Sequence, residues 1–129
     1  MRRIFTNGCF DILHRGHIEL LEYCKTLGHV TVGLNSDEST RALKGPHRPI
    51  FSEKDRKFML ESCMYVDEVV IFEEDTPYDL IKSIRPDIIV KGGDYRKENV
   101  VGNDIAEVLI FDYIHEYSTT KIIKNIANR

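Results

Sequence analysis

Short apolar runs alternate along the chain with stretches in which apolar residues recur every three or four positions. The runs are almost continuously apolar, as in strands of a parallel sheet that are buried on both faces. We predict five strands, at residues 3–7, 30–34, 66–72, 86–90 and 107–112. After the first strand, the apolar residues Ile18, Leu20, Leu21 and Leu27 recur at the intervals of an amphipathic helix. Strands alternating with helices throughout predict a Rossmann-like, doubly wound α/β fold: a five-stranded parallel sheet with helices on both faces.

Capping residues set the expected ends of the helices. Serine and asparagine side chains satisfy the free N–H groups of a first turn, and glycine favours a helix end. The predicted N-terminal caps are Asn35-Ser36-Asp37, Ser52 and Ser118, with Pro77 in a first turn, and the predicted C-terminal cap is Gly28. Residues 44–49 hold a glycine and two prolines, so we predict a loop there.

Length, charge and composition exclude several classes of function. The chain has 129 residues and a formal net charge of -3, which fits one domain over residues 1–129 and provides no broad basic surface for nucleic acid. No apolar run approaches the roughly 20 residues that cross a bilayer, and no signal-peptide hydrophobic region follows Met1. Three cysteines without CxxC spacing suggest neither disulfides nor zinc. We expect a cytoplasmic protein that binds neither nucleic acid nor membrane.

Polar and small residues collect directly after the predicted strands. Thr6-Asn7-Gly8-Cys9-Phe10-Asp11 follows the first strand, Asn35-Ser36-Asp37 the second, and Lys91-Gly92-Gly93-Asp94 the fourth. Ligands of doubly wound sheets bind beyond the carboxyl ends of the strands, near the point where strand order reverses. Paired glycines let a ligand lie against the backbone while Asp94 accepts a hydrogen bond, although the composition of 91–94 by itself favours a simple turn. These segments are the candidate binding residues.

The sequence His14-Arg15-Gly16-His17 carries the most specific chemistry. Two imidazoles flank a glycine at the start of a helix, where free N–H groups and the helix dipole attract anions. Both rings can donate hydrogen bonds to one phosphate chain. The alternatives are a metal-binding pair or two capping histidines. Three hydroxyl residues at Ser118-Thr119-Thr120 predict a second anion-binding helix start, which is compatible with a cap.

These residues resemble the HxGH nucleotidyltransferases, a cytidylyltransferase-like family, over essentially the whole chain. The resemblance rests on residues 6–17 and on 118–123. Within the family, segments 35–37, 72–77 and 90–95 most resemble the heptose 1-phosphate adenylyltransferase branch, with the glycerol-3-phosphate cytidylyltransferase branch next. The segment 113–117, which includes His115, departs from both branches.

The resemblance implies transfer of a nucleoside monophosphate from ATP or CTP to a sugar or polyol phosphate, with release of pyrophosphate, by an enzyme that forms homodimers. It implies catalytic roles for His14, His17, Lys44 and Arg56, and acceptor binding by Asp11, Lys44 and Arg56. The implied nucleotide-binding residues are Thr6, Asn7, Gly8, Cys9, Phe10, His14, His17, Lys91, Gly92, Asp94, Ser118, Thr119 and Thr120. A metal site built from protein side chains is not predicted. Mg²⁺ is the expected cofactor, because triphosphate oxygens can hold a hard cation with few protein ligands.

Several of these residues have simpler interpretations. Lys44 could be a solvated loop lysine, and Arg56 could pair with Glu53 or Asp55 on an exposed helix face. Asp11 could merely brace its loop, and we interpret Asp75 as a helix cap. Two competing functions also stay open: a nucleotide-binding module without turnover, and an HxGH enzyme that acts on a nucleotide-like cofactor precursor.

Overall fold

The strands and helices of the computed structural model follow the predicted alternation. The structure describes residues 1–112 and 118–129, so the predicted departure at 113–117, with His115, lies outside the described residues. In chain order the elements are β1 (Arg3–Gly8), α1 (Arg15–Leu27), β2 (His29–Asn35), α2 (Asp37–Lys44), α3 (Glu53–Glu61), β3 (Glu68–Phe72), α4 (Tyr78–Ile84), β4 (Ile88–Gly92), β5 (Glu107–Phe111) and α5 (Thr119–Ala127). No helix in these described ranges is long and apolar enough to cross a membrane.

All neighbouring strands are parallel, in the order β3-β2-β1-β4-β5. The chain runs outward from β1 to β3 and then returns to the other side of β1, so strand order reverses between β1 and β4. These two strands pair only at Ile4 with Ile88 and at Phe5 with Ile89. Beyond Phe5 their carboxyl ends separate, which opens a crevice where ligands of such sheets bind. The predicted fold class is confirmed.

Both faces of the sheet are covered by apolar side chains. On one face, α1 and α3 contribute Leu20, Leu21 and Leu60 to a core that also contains Ile4. On the other face, Phe5 packs in a second core with residues of α4, β4, β5 and the β4–β5 connection: Ile81, Ile89, Val100 and Val108. Neighbouring strand residues therefore face opposite cores, which explains why the runs are apolar without alternation.

The connection between β4 and β5 departs from the general alternation of strands and helices, and the sequence analysis assigned no particular element to it. It contains a short 3-10 helix, Lys97–Asn99, and turns. Gly102 has φ 94°, and its carbonyl accepts hydrogen bonds from the N–H groups of Ile105 and Ala106. A Cβ at Gly102 would lie 2.7 Å from Ile89 Cδ1. This segment thus covers the sheet as a tight turn.

The predicted serine caps are confirmed. Ser36, Ser52 and Ser118 each accept a hydrogen bond from the N–H group three residues later. Gly28 occupies the predicted C-terminal cap of α1, but its backbone is extended. A Cβ there would lie 2.3 Å from the carbonyl oxygen of Arg2, so glycine is required by close approach of the chain. Pro77 precedes α4 as its N-cap residue, one position earlier than predicted.

Candidate active site

A cavity of about 620 Å³ opens at the carboxyl ends of the strands, and residues from both β1 and β4 form its wall. This volume is typical of small-ligand sites. Most of the predicted site residues lie on its wall: Asn7, Gly8, Cys9, Phe10, Asp11, His14, His17, Lys44, Lys91, Gly92, Ser118, Thr119 and Thr120. Thr6, Arg56 and Asp94 do not line it. The structure therefore brings the histidine pair and the hydroxyl cluster to one cavity.

The turn between β1 and α1 has an unusual backbone. Phe10 and Ile12 have φ values of 48° and 52°, in the left-handed region that bulky residues rarely adopt. Such a conformation costs on the order of 1 to 3 kcal/mol per residue and persists only where surrounding contacts hold it. Phe10 is buried, and its ring lies 5.2 Å from the ring of His17. The strained turn directs the chain from β1 into the start of α1 at the cavity.

The two histidines cap the helix that they begin. The N–H of Gly16 donates to His14 Nδ1 at 3.1 Å, and the N–H of His14 donates to His17 Nδ1 at 3.3 Å. This is a capping box built from imidazoles, because each ring nitrogen satisfies a backbone donor that the first turn leaves free. The capping alternative is thus realised, and both rings still line the cavity.

The caps also fix the protonation of the rings. Since each Nδ1 accepts a hydrogen bond, the proton of each neutral ring is on Nε2. The rings are stacked with centroids 3.8 Å apart. Burial lowers the pKa of His14, while burial and the neighbouring His14 lower the pKa of His17 to about 3. Both imidazoles are therefore neutral at pH 7, and each presents one N–H donor.

Arg56 does not contact the cavity, which differs from the predicted phosphate contact. Its side chain is 1% exposed, and its guanidinium donates to three backbone carbonyls, of Phe51, Cys9 and Asn35, at 2.9, 2.7 and 2.9 Å. It also forms an ion pair with Asp37 at 2.8 Å. These partners occupy four of its five N–H groups. The predicted acceptor contact is therefore wrong, and so is the alternative of pairing with Glu53 or Asp55.

Arg56 joins three chain segments that border the cavity. Its carbonyl partners lie after β1, at the end of β2 and just before α3. Asp37 and Glu53 complete this junction, because each carboxylate accepts the other's backbone N–H, at 2.7 and 2.9 Å. The starts of α2 and α3 are thereby fixed to each other. Arg56 is a positioning residue behind the wall of the cavity.

Asp11 is also occupied by the protein. Its carboxylate accepts the N–H groups of Ile50 and Phe51 at 2.6 and 3.0 Å, and it is 1% exposed. Arg48 lies 3.5 Å away. The carboxylate therefore holds the loop before α3 against the β1–α1 turn. The structure supports the bracing alternative in place of the predicted acceptor contact.

Two lysines provide positive charge in the cavity. Lys44 ends α2 and is exposed at the cavity wall. Lys91, in β4, is half-buried with its ammonium 4.9 Å from the centroid of the Tyr95 ring. Burial lowers the pKa of Lys91, and Lys44 lowers it further, while Cys9 opposes the shift. A polyphosphate would relieve the repulsion between these two ammonium groups.

The start of α5 is attached to the β1–α1 turn. The buried Thr119 hydroxyl donates to the carbonyl of Asp11. Ser118 caps the helix through the N–H of Lys121 at 3.0 Å. Thr120 is exposed on the cavity wall. In the described part of the chain the Thr120 hydroxyl has no hydrogen bond and the Ser118 hydroxyl only accepts one, so both can donate to a ligand together with the first-turn N–H groups.

Thr6 and Asp94 lie away from the cavity, contrary to prediction. Thr6 is fully buried within β1, and its hydroxyl has no hydrogen-bond partner in the described residues. Asp94 is exposed beyond Gly93, which has φ 107°. The turn at Gly93 supports the simple-turn alternative for Asp94, whereas Gly92 remains on the wall.

Asp75 is not the helix cap that we predicted. The N-cap position of α4 is Pro77, which makes no side-chain cap hydrogen bond, and Asp75 is exposed on the cavity wall with Thr76. The loop between β3 and α4 therefore forms one side of the cavity. Its polar side chains face the space beyond β2 and β3.

Arg48 is a charged residue of the cavity wall that the sequence analysis did not select. It lines the cavity in the loop between α2 and α3, and its buried Nε has no hydrogen-bond partner among the described residues. The signal in the sequence was its position in the same predicted Gly/Pro loop as Lys44, because both residues are positively charged.

No three His, Cys, Asp or Glu side chains in residues 1–112 and 118–129 form a group that could hold a metal ion. The histidine pair uses both Nδ1 atoms for caps, which makes chelation by the pair through these atoms incompatible with the helix start. The donors instead suit an anion: neutral imidazole N–H groups, two ammonium groups and a guanidinium.

The sequence matches the Cytidylyltransferase-like family over residues 5–125. The chain belongs to the cytidylyltransferase-like family of nucleotidyltransferases. It is 56% identical over 129 residues to the bifunctional protein HldE of a Nitratiruptor species, and the match covers 98% of this chain. It is 53% identical over 125 residues to the bifunctional protein HldE of Helicobacter pylori, and that match covers 95% of this chain. The chain spans 28% and 27% of the lengths of these relatives.

Two solved structures have a similar fold. The lipopolysaccharide core biosynthesis protein from Thermoplasma volcanium superposes with a TM-score of 0.74 at 28% identity, over 88% of this chain and 96% of that chain. A protein from Archaeoglobus fulgidus, described as having unknown function, gives a TM-score of 0.64 at 20% identity, over 87% of this chain and 99% of that chain. The second similarity concerns the fold alone.

Proposed function

We propose that residues 1–129 form one nucleotidyltransferase domain that transfers AMP from ATP to a heptose 1-phosphate and releases pyrophosphate. The observation that carries this proposal is the meeting of the His14 and His17 rings with the start of α5 in one cavity. The resemblance to the heptose 1-phosphate branch supports the acceptor. Similarity to a lipopolysaccharide core biosynthesis protein points in the same direction.

The acceptor explains why the cavity needs no general base. An oxygen of the sugar phosphate is ionised at pH 7, so it can attack the α-phosphorus directly. A new oxygen–phosphorus bond forms while the bond from the α-phosphorus to the bridging oxygen breaks, and pyrophosphate leaves. The obstacles are repulsion between two anions and the charge that collects on the leaving group. Catalysis then consists of in-line positioning and electrostatic stabilisation.

The residues on the cavity wall are suited to these tasks. The Nε2–H groups of His14 and His17 donate hydrogen bonds to triphosphate oxygens, while the free N–H groups at the start of α5 bind the same chain. Lys44 is exposed at the end of a helix, so its flexible side chain can bring the ammonium group to the α-phosphate as negative charge develops there. Lys91 lies at the end of β4 and contributes a second ammonium group. Neutral imidazoles bind without adding to the repulsion between these cations.

Mg²⁺ fits this proposal as an ion bound to the triphosphate, where it would neutralise charge on the pyrophosphate. Protein carboxylates are few there: Asp11 is buried and accepts two backbone N–H groups, Asp94 lies off the cavity wall, and Asp75 is the one exposed carboxylate on the wall among the described residues. The residues present therefore suit a cation held largely by substrate oxygens.

The test is pyrophosphate release by the purified chain. ATP and CTP are each combined with heptose 1-phosphate and with glycerol 3-phosphate, with Mg²⁺ present in every reaction. We expect turnover with ATP and heptose 1-phosphate. Turnover only with CTP and glycerol 3-phosphate would assign the chain to the glycerol-3-phosphate cytidylyltransferase branch. If neither acceptor is used, a nucleotide-like cofactor precursor is supplied in its place, and turnover with that precursor would refute the proposed sugar phosphate acceptor. Binding of ATP without turnover on any acceptor would indicate a binding module.

A further inference from the structure

We propose that Arg48 binds the phosphate group of the acceptor and thereby determines that the substrate is a phosphate ester. This inference rests on the proposed function, since it assigns a residue to its second substrate. Arg48 is 15% exposed in its side chain and lines the cavity. Its Nε is buried without a hydrogen-bond partner among the described residues. An arginine that is largely buried and incompletely paired is costly unless a ligand supplies the missing acceptor.

The protein positions Arg48 without using up its donors. Asp11 lies 3.5 Å from Arg48 Nε, beyond the usual length of a charge-assisted hydrogen bond. That carboxylate is already shared between the N–H groups of Ile50 and Phe51. Asp11 therefore compensates part of the positive charge and fixes the loop, while the planar guanidinium remains able to bind two oxygens of one phosphate. Arg56 shows the contrast, because the protein occupies four of its five N–H groups.

Arg48 is a cation that the proposed triphosphate contacts leave unassigned. In that proposal the triphosphate is bound by the histidine pair, the two lysines and the start of α5. Arg48 belongs to the loop that follows α2, and its guanidinium lies beside Asp11 of the β1–α1 turn. The cavity wall also includes the polar side chains of Asp75 and Thr76. The cavity thus offers one further guanidinium together with polar oxygens. A sugar phosphate has the matching arrangement of one dianion and several hydroxyl groups.

The experiment compares Michaelis constants for the two substrates in the 129-residue chain. Arg48→Gln removes the charge and the bidentate contact, and Arg48→Lys restores the charge alone. For Arg48→Gln we expect KM for the acceptor to rise roughly 10- to 100-fold, as for loss of a charge-assisted hydrogen bond. KM for ATP should change less than about threefold. Arg48→Lys should lie between Arg48→Gln and the wild type.

Arg41→Gln is the matched control, because Arg41 is exposed on α2 and does not line the cavity. It should leave both constants at their wild-type values. Urea unfolding of each variant shows whether the substitution changes the free energy of unfolding. An Arg48→Gln protein with wild-type stability and a raised acceptor KM supports the proposal. An equal rise in KM for ATP, or no change in KM for the acceptor, overturns it.

The outcomes also separate this inference from the proposed function. If the wild type uses glycerol 3-phosphate in place of heptose 1-phosphate, the proposed acceptor is wrong, and the role of Arg48 is measured with glycerol 3-phosphate instead. If the wild type turns over no phosphate ester, both proposals are refuted. Inorganic phosphate is the direct probe: it should inhibit the wild type in competition with the acceptor, and Arg48→Gln should weaken that inhibition.

Discussion

Replacement of Arg56 by alanine tests the distinction between a phosphate ligand and a positioning residue. The variant leaves Asp37 without its buried partner, and it removes the donors to the carbonyls of Phe51, Cys9 and Asn35. The side chain of Asp37 is 33% exposed, so the larger cost comes from the three carbonyls that lose their donor. A buried acceptor left unpaired costs about 1 to 3 kcal/mol, and such losses at one residue are not additive. We therefore expect the free energy of unfolding to fall by about 3 to 5 kcal/mol.

This loss is large beside the total stability of a domain, which is typically about 5 to 15 kcal/mol. For a chain of this length it corresponds to a fall in Tm of roughly 10 to 20 °C. The assay is urea and thermal unfolding followed by far-ultraviolet circular dichroism. Lys54→Ala is the control, since Lys54 is exposed on the same helix and should leave Tm unchanged. If Arg56→Ala keeps the wild-type Tm while turnover disappears, the guanidinium acts on phosphate directly and the positioning role is refuted.

Three further predictions concern the histidine pair and α5. His17→Ala should lower turnover by roughly 100-fold or more while the protein stays folded, and near-wild-type turnover would remove His17 from the mechanism. Because the pKa of His17 is about 3 when folded and 6.5 when unfolded, the unfolded chain binds the extra proton between these values. Stability should therefore be complete above about pH 6.5 and fall towards pH 3; a His17→Gln protein with an equally steep pH dependence contradicts this. Thr119→Val should reduce stability by about 1 to 3 kcal/mol in urea unfolding, because the Asp11 carbonyl loses its donor, whereas Thr120→Val should not.

The fold was predictable because its signals are local. Continuous apolar runs, serine caps and the order of elements each arise within a few residues of sequence, and each was confirmed. The exception is the β4–β5 connection. There the conformation depends on Gly102 fitting against Ile89, a contact between distant residues that no local pattern records.

The candidate site was predictable only where its residues form a local motif. His14, His17 and the hydroxyl cluster lie in continuous segments, and the sheet brings their segments together at the carboxyl ends of the strands. Arg56 has no such signal, because its partners at Cys9 and Asn35 are 47 and 21 residues away. From the sequence, an arginine one turn into a polar helix looks solvent-exposed. Its burial follows from long-range packing of carbonyl groups, and the same packing determines that Arg48, and not Arg56, reaches the cavity.

The two histidines connect folding directly to the proposed chemistry. The hydrogen bonds that begin α1 occupy both Nδ1 atoms, so the helix cap itself assigns the proton to Nε2. A charged imidazole would lose its cap, since a protonated Nδ1 cannot accept a backbone N–H. The helix start therefore favours neutral rings, in agreement with the lowered pKa of each histidine. In the proposed reaction, the motif would therefore contribute hydrogen bonds whose strength grows with the charge on the leaving group, while lysine and arginine side chains would attract the two anions.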